Sequence, residues 1–549
     1  MSSSRIILIL LVFFVVSCGG SGGKYIVPGD KDTTDESIAV IENKTVYDQD
    51  ELDVITLHVT VETGGATLDE VNTDDDDSDD FQPEAVVSIS ESGYTFADGA
   101  STASGMLRVR GASSRNSDQK SYRIKLDSKE KLWRNHRILQ LNKHPYDLTR
   151  MRQKLAFDYF KDIPYMTSLR TQFVHLYIDG VDFGLFTLIE RCNKSFLENH
   201  GLDKDGRLYK AQDFSFYRDE NVLLMADDPD YNVELFEEVL DIRRAKDDNA
   251  QLLYMLDAVN DETTGINDVI EEQFHRNNYL TWFAINILLK NEDTTTQNFF
   301  LYCPLTSSKW YFLPWDYDGA WDFYGQPVEA AAKTRPRWTQ GVSNWWGNAL
   351  HKRFLQDADN VQDLVERVEE LKETVFTATS ISERTEIYKN LIFDIITVDP
   401  DIEELPALDN DTVAEIEAEL NTEIDRLASI PQESYNMFIS AMERPMPIWM
   451  GYTELSDGTL QFVWDESYDL QGNSITYNFQ ISTRPTFIDA SIVYESLGLT
   501  ETTIDVTGLA SGTYYFRVII RDSEGNWQLP FDSYDDGETV FDGMLQFSL

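Results

Sequence analysis

Asn291–Asp322 reads NEDTTTQNFFLYCPLTSSKWYFLPWDYDGAWD. Two apolar runs lie in it, Phe299–Tyr302 and Trp310–Pro314. Both are rich in aromatic residues, which favour strands. Acids and amides bound each run at one end: Asp293 and Asn298 before the first, Asp316 and Asp318 after the second. Paired as a hairpin, the runs bring both polar clusters to the same end, against a wall of Trp and Tyr. Carboxylates and amide carbonyls are the hard oxygen donors that Mg²⁺ takes, with phosphate oxygens completing the shell. The plainer alternative is that Asp293 caps a helix end and Asp316–Gly319 is a turn.

Asp293, four intervening residues, Asn298 and then a later Asp is the order in which protein kinases place base, second metal ligand and first metal ligand. On that reading Asp293 is catalytic, and Asn298, Asp316 and Asp318 bind the metal. Upstream, Arg110-Gly111-Ala112-Ser113-Ser114 is a tight small-residue turn. Backbone N–H groups around Ser113 and Ser114 can approach a phosphate closely. The strand Ser121–Leu126 follows, apolar on one face and basic on the other. Lys125, or else Lys120, is the candidate phosphate-binding lysine, and Glu190 its candidate ion-pair partner. The alternatives are a solvent-facing lysine and an exposed strand-end acid. The G-x-G-x-x-G loop and V-A-I-K strand of ordinary kinases are both missing.

Five stretches in order carry a resemblance: RGASSRNSDQKSYRIKL (Arg110–Leu126), LTRMRQKLAFDYF (Leu148–Phe160), FVHLYIDGVDFGLFTLIER (Phe173–Arg191), EDTTTQNFFLY and FLPWDYDGAW. Together they resemble the spore-coat protein H (CotH) kinase family, secreted atypical protein kinases, over roughly residues 40–435. The resemblance implies an atypical kinase domain that uses ATP and Mg²⁺ to phosphorylate Ser or Thr of exported or cell-surface proteins. It also implies that Arg152 lies in a helix beside the nucleotide site.

The chain has 549 residues, with 96 acidic against 46 basic side chains, a net charge of −50. Such a balance repels nucleic acid and anionic lipid surfaces. Arg5 followed by the apolar run Ile6–Val16 and Ser17-Cys18-Gly19-Gly20 reads as a secretory signal. Val15–Cys18 resembles a bacterial lipobox, so Cys18 is expected to be acylated and to anchor the protein to a membrane. Gly19 after the cysteine points to the outer membrane or cell surface in a Gram-negative source. An ordinary signal peptide with an incidental cysteine is the alternative. Cys192 and Cys303 are left, and whether they pair is open. The seven histidines form no zinc-ligand spacing.

Strands are expected at Leu52–Val61, Val86–Ile89 and Met106–Val109, with Asp179-Gly180 a hairpin turn. Helices are expected over Thr149–Lys161, Val233–Arg244, Ala250–Val259, Asp268–Lys290 (capped by Asn267) and Asn360–Thr374. Thr412 and Glu415 form a capping box for another. Beyond Arg444-Pro445 the pattern alternates with period two, as in a β-sandwich. Leu509–Asn526 resembles the F-strand corner of bacterial fibronectin type III domains. The expected class is therefore α+β: signal 1–18, linker 19–37, kinase-like domain 38–435, and an all-β fibronectin type III-like domain 445–549. That last domain is read as a spacer or a glycan- or protein-binding module. The competing expectation is a catalytically inactive kinase fold displayed as a surface scaffold.

Overall fold

The computed structural model describes residues 52–73, 82–111, 115, 117–130, 132–245, 248–326, 335–405 and 412–549. Cys18, Ser113, Ser114 and the expected linker 19–37 lie outside the described residues, as do residues 38–41, which the sequence reads as a further strand. The class is α+β, with helices and several sheets. Contacts divide the chain into two units.

The larger unit opens with seven strands: β1 (Val54–Val61), β2 (Ala85–Ser90), β3 (Ala103–Arg110), β4 (Ser121–Leu126), β5 (Ile138–Asn142), β6 (Thr171–Ile178) and β7 (Val181–Ile189). They close into a barrel in the order β1-β2-β3-β4-β5-β7-β6. The parallel pairing of β1 with β6, Val54 opposite Phe173, completes the closure. Alternation puts Leu107, Val109, Tyr122, Ile124, Leu139, Leu141 and Leu188 in the buried barrel core. Their strand neighbours Arg108, Arg110, Arg123, Lys125, Gln140 and Asn142 therefore share the outer wall. The predicted Asp179-Gly180 turn joins β6 to β7, with Gly180 at φ 80°.

A second sheet runs β11-β10-β8-β9, from β8 (Arg207–Ala211), β9 (Leu240–Arg244), β10 (Phe299–Cys303) and β11 (Tyr311–Pro314). Two helical expectations need correction. Val233–Arg244 is helical only over Val233–Val239 and then becomes strand β9, where Leu240 pairs with Ala211 at the sheet edge. Asp268–Lys290 is two helices, Ile266–Gln273 and Arg276–Leu288. The break falls where Trp310 N donates to Gln273 O (2.7 Å) and His275 N donates to Trp310 O (3.0 Å). His275 Nδ1 then caps the second helix by accepting from Asn278 N at 3.2 Å, while Asn267 sits inside the first helix rather than capping it. The expected helix at Asn360–Thr374 spans Ala358–Thr374, and the Thr412–Glu415 capping box is formed.

The smaller unit joins residues 335–347 to Ile439–Leu549 among the described residues. It holds a three-stranded sheet, β12-β13-β16 (Met450–Glu454, Leu460–Trp464, Thr503–Val506). A five-stranded sheet is built on β15-β14-β17 (Ile492–Leu499, Ile475–Ser482, Thr513–Asp522). Phe462, Phe479, Phe516 and Val518 form its dry interior. The Tyr514 hydroxyl donates to Ala510 O at 2.9 Å, tying the start of β17 back onto the preceding corner. Residues 335–347 pack on this unit: Arg337 lies 4.2 Å from the Trp527 ring centroid and donates to Trp527 O.

Candidate functional site

Phe299 pairs with Pro314 as the first rung of the β10–β11 hairpin. The residues just outside that rung, Asn298 and Asp316, therefore emerge at the same end, as the sequence suggested. Both turn sharply, at φ 61° and 57°. Asn and Asp tolerate this left-handed region better than most residues because their short side chains bond locally. Asp316 then leads into a 3-10 turn over Tyr317–Gly319. The turn reading and the site reading of this segment are thus compatible.

Asp293 sits half-buried in the turn Glu292–Thr294. Its Oδ1 accepts from Gln297 Nε2 and its Oδ2 from Asn298 Nδ2, both at 2.7 Å. Asn298 Nδ2 also donates to Asp293 O at 3.0 Å. The amide nitrogen is thereby committed, and Asn298 Oδ1 is left to face another partner. Gly319 closes the other side: a Cβ there would lie 3.2 Å from Asp293 Cβ.

Asp316 accepts from Gln153 Nε2 at 3.3 Å, and Gln153 Oε1 accepts from Asn142 Nδ2 at 3.2 Å. This relay ties the acid to the outer wall of the barrel at β5. Burial first, and the like charge of Asp318 second, push the Asp316 carboxyl up to about 7; Lys210, Arg110 and His144 oppose the rise. Asp318 is more exposed and stands 3.5 Å from His144 Nδ1. His144 Nε2 is buried without a hydrogen-bond partner among the described residues.

The cations facing Asp316 are not those the sequence singled out. Arg110, at the end of β3, is raised by the charges of Asp316 and Asp318, although burial dominates and lowers it. Lys210 on β8 is likewise lowered by burial, with Asp316 opposing. Lys125 shares the outer wall with Arg110 but is exposed and lies further along. In register the rows run Arg110–Ser121, then Arg108–Arg123, then Met106–Lys125. Four residues of strand separate the first row from the last, roughly 13 Å. Lys120 Nζ is occupied by Arg115 O.

Two further expectations are corrected. Glu190 does not pair with Lys125 or Lys120. It is buried and accepts from Arg170 N, Asn199 Nδ2 and His200 Nε2. Burial raises its carboxyl, but the hydrogen bond and charge of His200 win and hold it below its ordinary value. Arg152 does start a helix beside the site, Arg152–Phe160, but its guanidinium points into protein. It is fully buried between Asp147 and Glu423. Glu423 continues to Arg426, which reaches Asp322 at 2.6 Å, and Asp322 meets Lys290 at 2.8 Å. This ionic chain braces the elements around the hairpin end. Gln153, its neighbour, is the residue that reaches Asp316. The sequence signal for Arg110 was present, since Arg-x-Arg on β3 puts both side chains on one face. Lys210 and Gln153 carried none.

Cys192 and Cys303 are both buried and are not joined in a disulfide. Among the described residues, no group of three or more His, Cys, Asp or Glu side chains is placed to hold a metal ion. Asp316, Asp318 and Asn298, at one end of the hairpin, carry oxygen donors of the kind that Mg²⁺ takes with phosphate and water. The donor chemistry therefore fits Mg²⁺, and the mutual repulsion of Asp316 and Asp318 is what a divalent cation would relieve. No described helix is long and apolar enough to cross a membrane.

A family model described as CotH kinase protein matches residues 107–429. The chain is also similar to the inner spore coat protein H of Bacillus subtilis (strain 168), 25% identical over 300 residues, covering 54% of this chain and 78% of that protein.

Proposed function

The chain belongs to the CotH kinase protein family, and on that premise we propose that it is an exported, Mg²⁺-dependent atypical kinase that transfers the γ-phosphate of ATP to Ser or Thr of a protein. The observation that carries this is the convergence of Asp293, Asn298, Asp316 and Asp318 at one end of a hairpin, with Arg110 and Lys210 facing Asp316. A scaffold has no need of opposed acid and base sets around an open end of a sheet.

Arg110 and Lys210, rather than Lys125 or Lys120, would neutralise the phosphates. Asp316, Asp318 and Asn298 would hold Mg²⁺, which supplies charge neutralisation between the phosphoryl oxygens. Asp293 would orient the acceptor hydroxyl and take its proton. Gln153 holds Asp316 in place, and Asn298 does the same for Asp293. Catalysis of this kind rests on positioning and charge rather than covalent chemistry. The test is binding of a fluorescent ATP analogue to the full chain with and without Mg²⁺. Metal-dependent binding is expected, and its absence in the intact protein sinks the enzyme reading.

Export and anchoring through acylated Cys18 belong to the same proposal, as does a cell-envelope location, which the name of the spore-coat relative supports. Cys18→Ser should release the protein from the membrane fraction. We read the smaller unit as a fibronectin type III-like sandwich, supported by its two-sheet strand order and the Tyr514–Ala510 corner. Its proposed role is as a spacer or as a glycan- or protein-binding module. That same relative is named as a coat protein, which favours a second reading: a kinase fold kept as a surface scaffold. Normal assembly at the surface by an Asp316→Asn variant that binds no nucleotide would support it.

A further inference from the structure

The chain is strongly anionic overall, yet one face of the larger unit reverses the sign. On the outer wall of the barrel, Arg108 of β3 stands directly opposite Arg123 of β4. Like charges in direct cross-strand register are destabilising, so such a pair calls for a compensating anion. Lys125 continues the line one row beyond, exposed. In register, Arg123 pairs with Gln140 of β5, and Gln140 with Ile189 of β7, two residues before Arg191. Arg191 and Arg243 feel each other's charge, and Arg191 also feels Arg108. Among the described residues, the acids set against this group are few. Asp241 is paired to Arg243, and at Arg123 the charge of Glu84 is set against those of Arg108, Arg191 and Arg110. Arg108 reaches the neutral Gln82 at 2.5 Å.

The stripe begins at Arg110, beside Asp316, and runs along the strands to Lys125. Its first member is accounted for by the phosphate site and the rest are not. Successive rows are roughly 7 Å apart, the spacing of alternate residues in an extended peptide. Resting on the kinase reading above, we propose that Arg108, Arg123 and Lys125, flanked by Arg191 and Arg243, form the acceptor subsite, and that it takes an acidic peptide laid in extended form with its Ser or Thr at the Asp293 end. Carboxylates spaced along such a segment match the cation rows, and this fixes which hydroxyl reaches the site. Beyond Arg110 the stripe is a specificity element, and Arg108, Arg123 and Lys125 are assigned neither to the phosphates nor to the metal.

The test is fluorescence anisotropy of a labelled octapeptide, one Ser followed by alternating Glu and Ala, against the full chain without ATP. Binding should weaken by about tenfold in the Arg108→Gln/Arg123→Gln double variant and should weaken steeply with salt. Lys125→Gln with Arg243→Gln, which changes only exposed side chains, should weaken it in the same direction while the thermal midpoint stays put. Nucleotide affinity should hold in both variants. Loss of nucleotide affinity together with unchanged peptide binding would assign the stripe to ATP and overturn the proposal. Equal binding of a Ser-Lys-Ala peptide of the same length would also overturn it. The sequence also carries an acidic run, Asp74-Asp75-Asp76-Asp77, and binding of the acidic peptide that appears only after these are changed to Asn would overturn the proposal too, since the stripe would then belong to that run. If the acidic peptide binds as expected but no phosphate is transferred, the kinase reading fails and the subsite stands.

Discussion

Asn298 Nδ2 lies 2.7 Å from Asp293 Oδ2, across the same end of the hairpin that carries Asp316. One amide thus fixes the proposed base, while its oxygen is the group proposed for the metal. Losing Asn298 should damage both functions. Asn298→Ala is expected to weaken Mg·ATP binding and to slow transfer further than the binding loss explains. Calorimetry paired with radiolabel transfer measures the two effects. A variant with normal binding and normal turnover would remove Asn298 from the site.

The acids should fail in different ways. Asp316→Ala and Asp318→Ala are expected to reduce metal-dependent nucleotide binding, Asp316 more, because it is the recessed partner of Arg110 and Lys210. Asp293→Ala should bind nucleotide almost normally and lose roughly 10²- to 10⁴-fold in transfer rate, the usual worth of a positioned base. Equal loss of binding in all three would leave the site standing and abolish this division of roles.

Arg152 and Gln153 are adjacent in sequence and should behave oppositely. Arg152→Met leaves Asp147 buried without its cation and Glu423 with Arg426 alone, which costs about 3–5 kcal/mol. The urea midpoint should drop sharply. Gln153→Ala should leave the midpoint nearly unchanged and weaken nucleotide binding, since the Asn142–Gln153–Asp316 relay is cut. The reverse pattern would show that Arg152 serves the ligand.

Acid should destabilise the larger unit between about pH 6.5 and 4. Burial, with Arg170 adding to it, lowers His136 from 6.5 to about 4, and burial lowers His351 to about 3. In this window the unfolded chain takes up protons that the folded chain refuses. Stability is therefore lost as pH falls, by roughly 3 kcal/mol for His136 alone. Tyr279 bonds His351 Nδ1 at 2.8 Å inside an aromatic cluster. His351→Phe should lower stability at pH 7 yet flatten the acid limb of a thermal-melt series. A limb as steep as wild type would exclude His351 as a contributor.

A fragment spanning Met446–Leu549 lacks residues 335–347, and with them the Arg337–Trp527 and Trp338–Phe531 contacts. It should fold cooperatively but unfold at lower urea than the same unit in the whole chain. Arg337→Ala in the full protein should reproduce part of the shift, about 1–2 kcal/mol. An unchanged midpoint in both cases would make 335–347 a passive passenger.

The period-two runs of the barrel and of the smaller unit were legible because alternation is a local property of a half-buried strand. So was the hairpin end, because Asn298 and Asp316 flank runs that can pair only with each other nearby. The Thr412–Glu415 box and the Asp179-Gly180 turn are equally local. The tertiary structure decided the rest. Val233–Arg244 could not declare its strand, since Leu240 becomes extended only by pairing with distant Ala211. The helix break before Arg276 depends on Trp310, again a residue far along the chain. Glu190 found His200 rather than a lysine, Arg152 turned inward to Glu423, and Lys210 arrived at Asp316 from another strand. Which charges meet across a fold is set by sheet order and register. Sequence spacing fixes a side chain's face on its own element, but only packing fixes which element stands opposite.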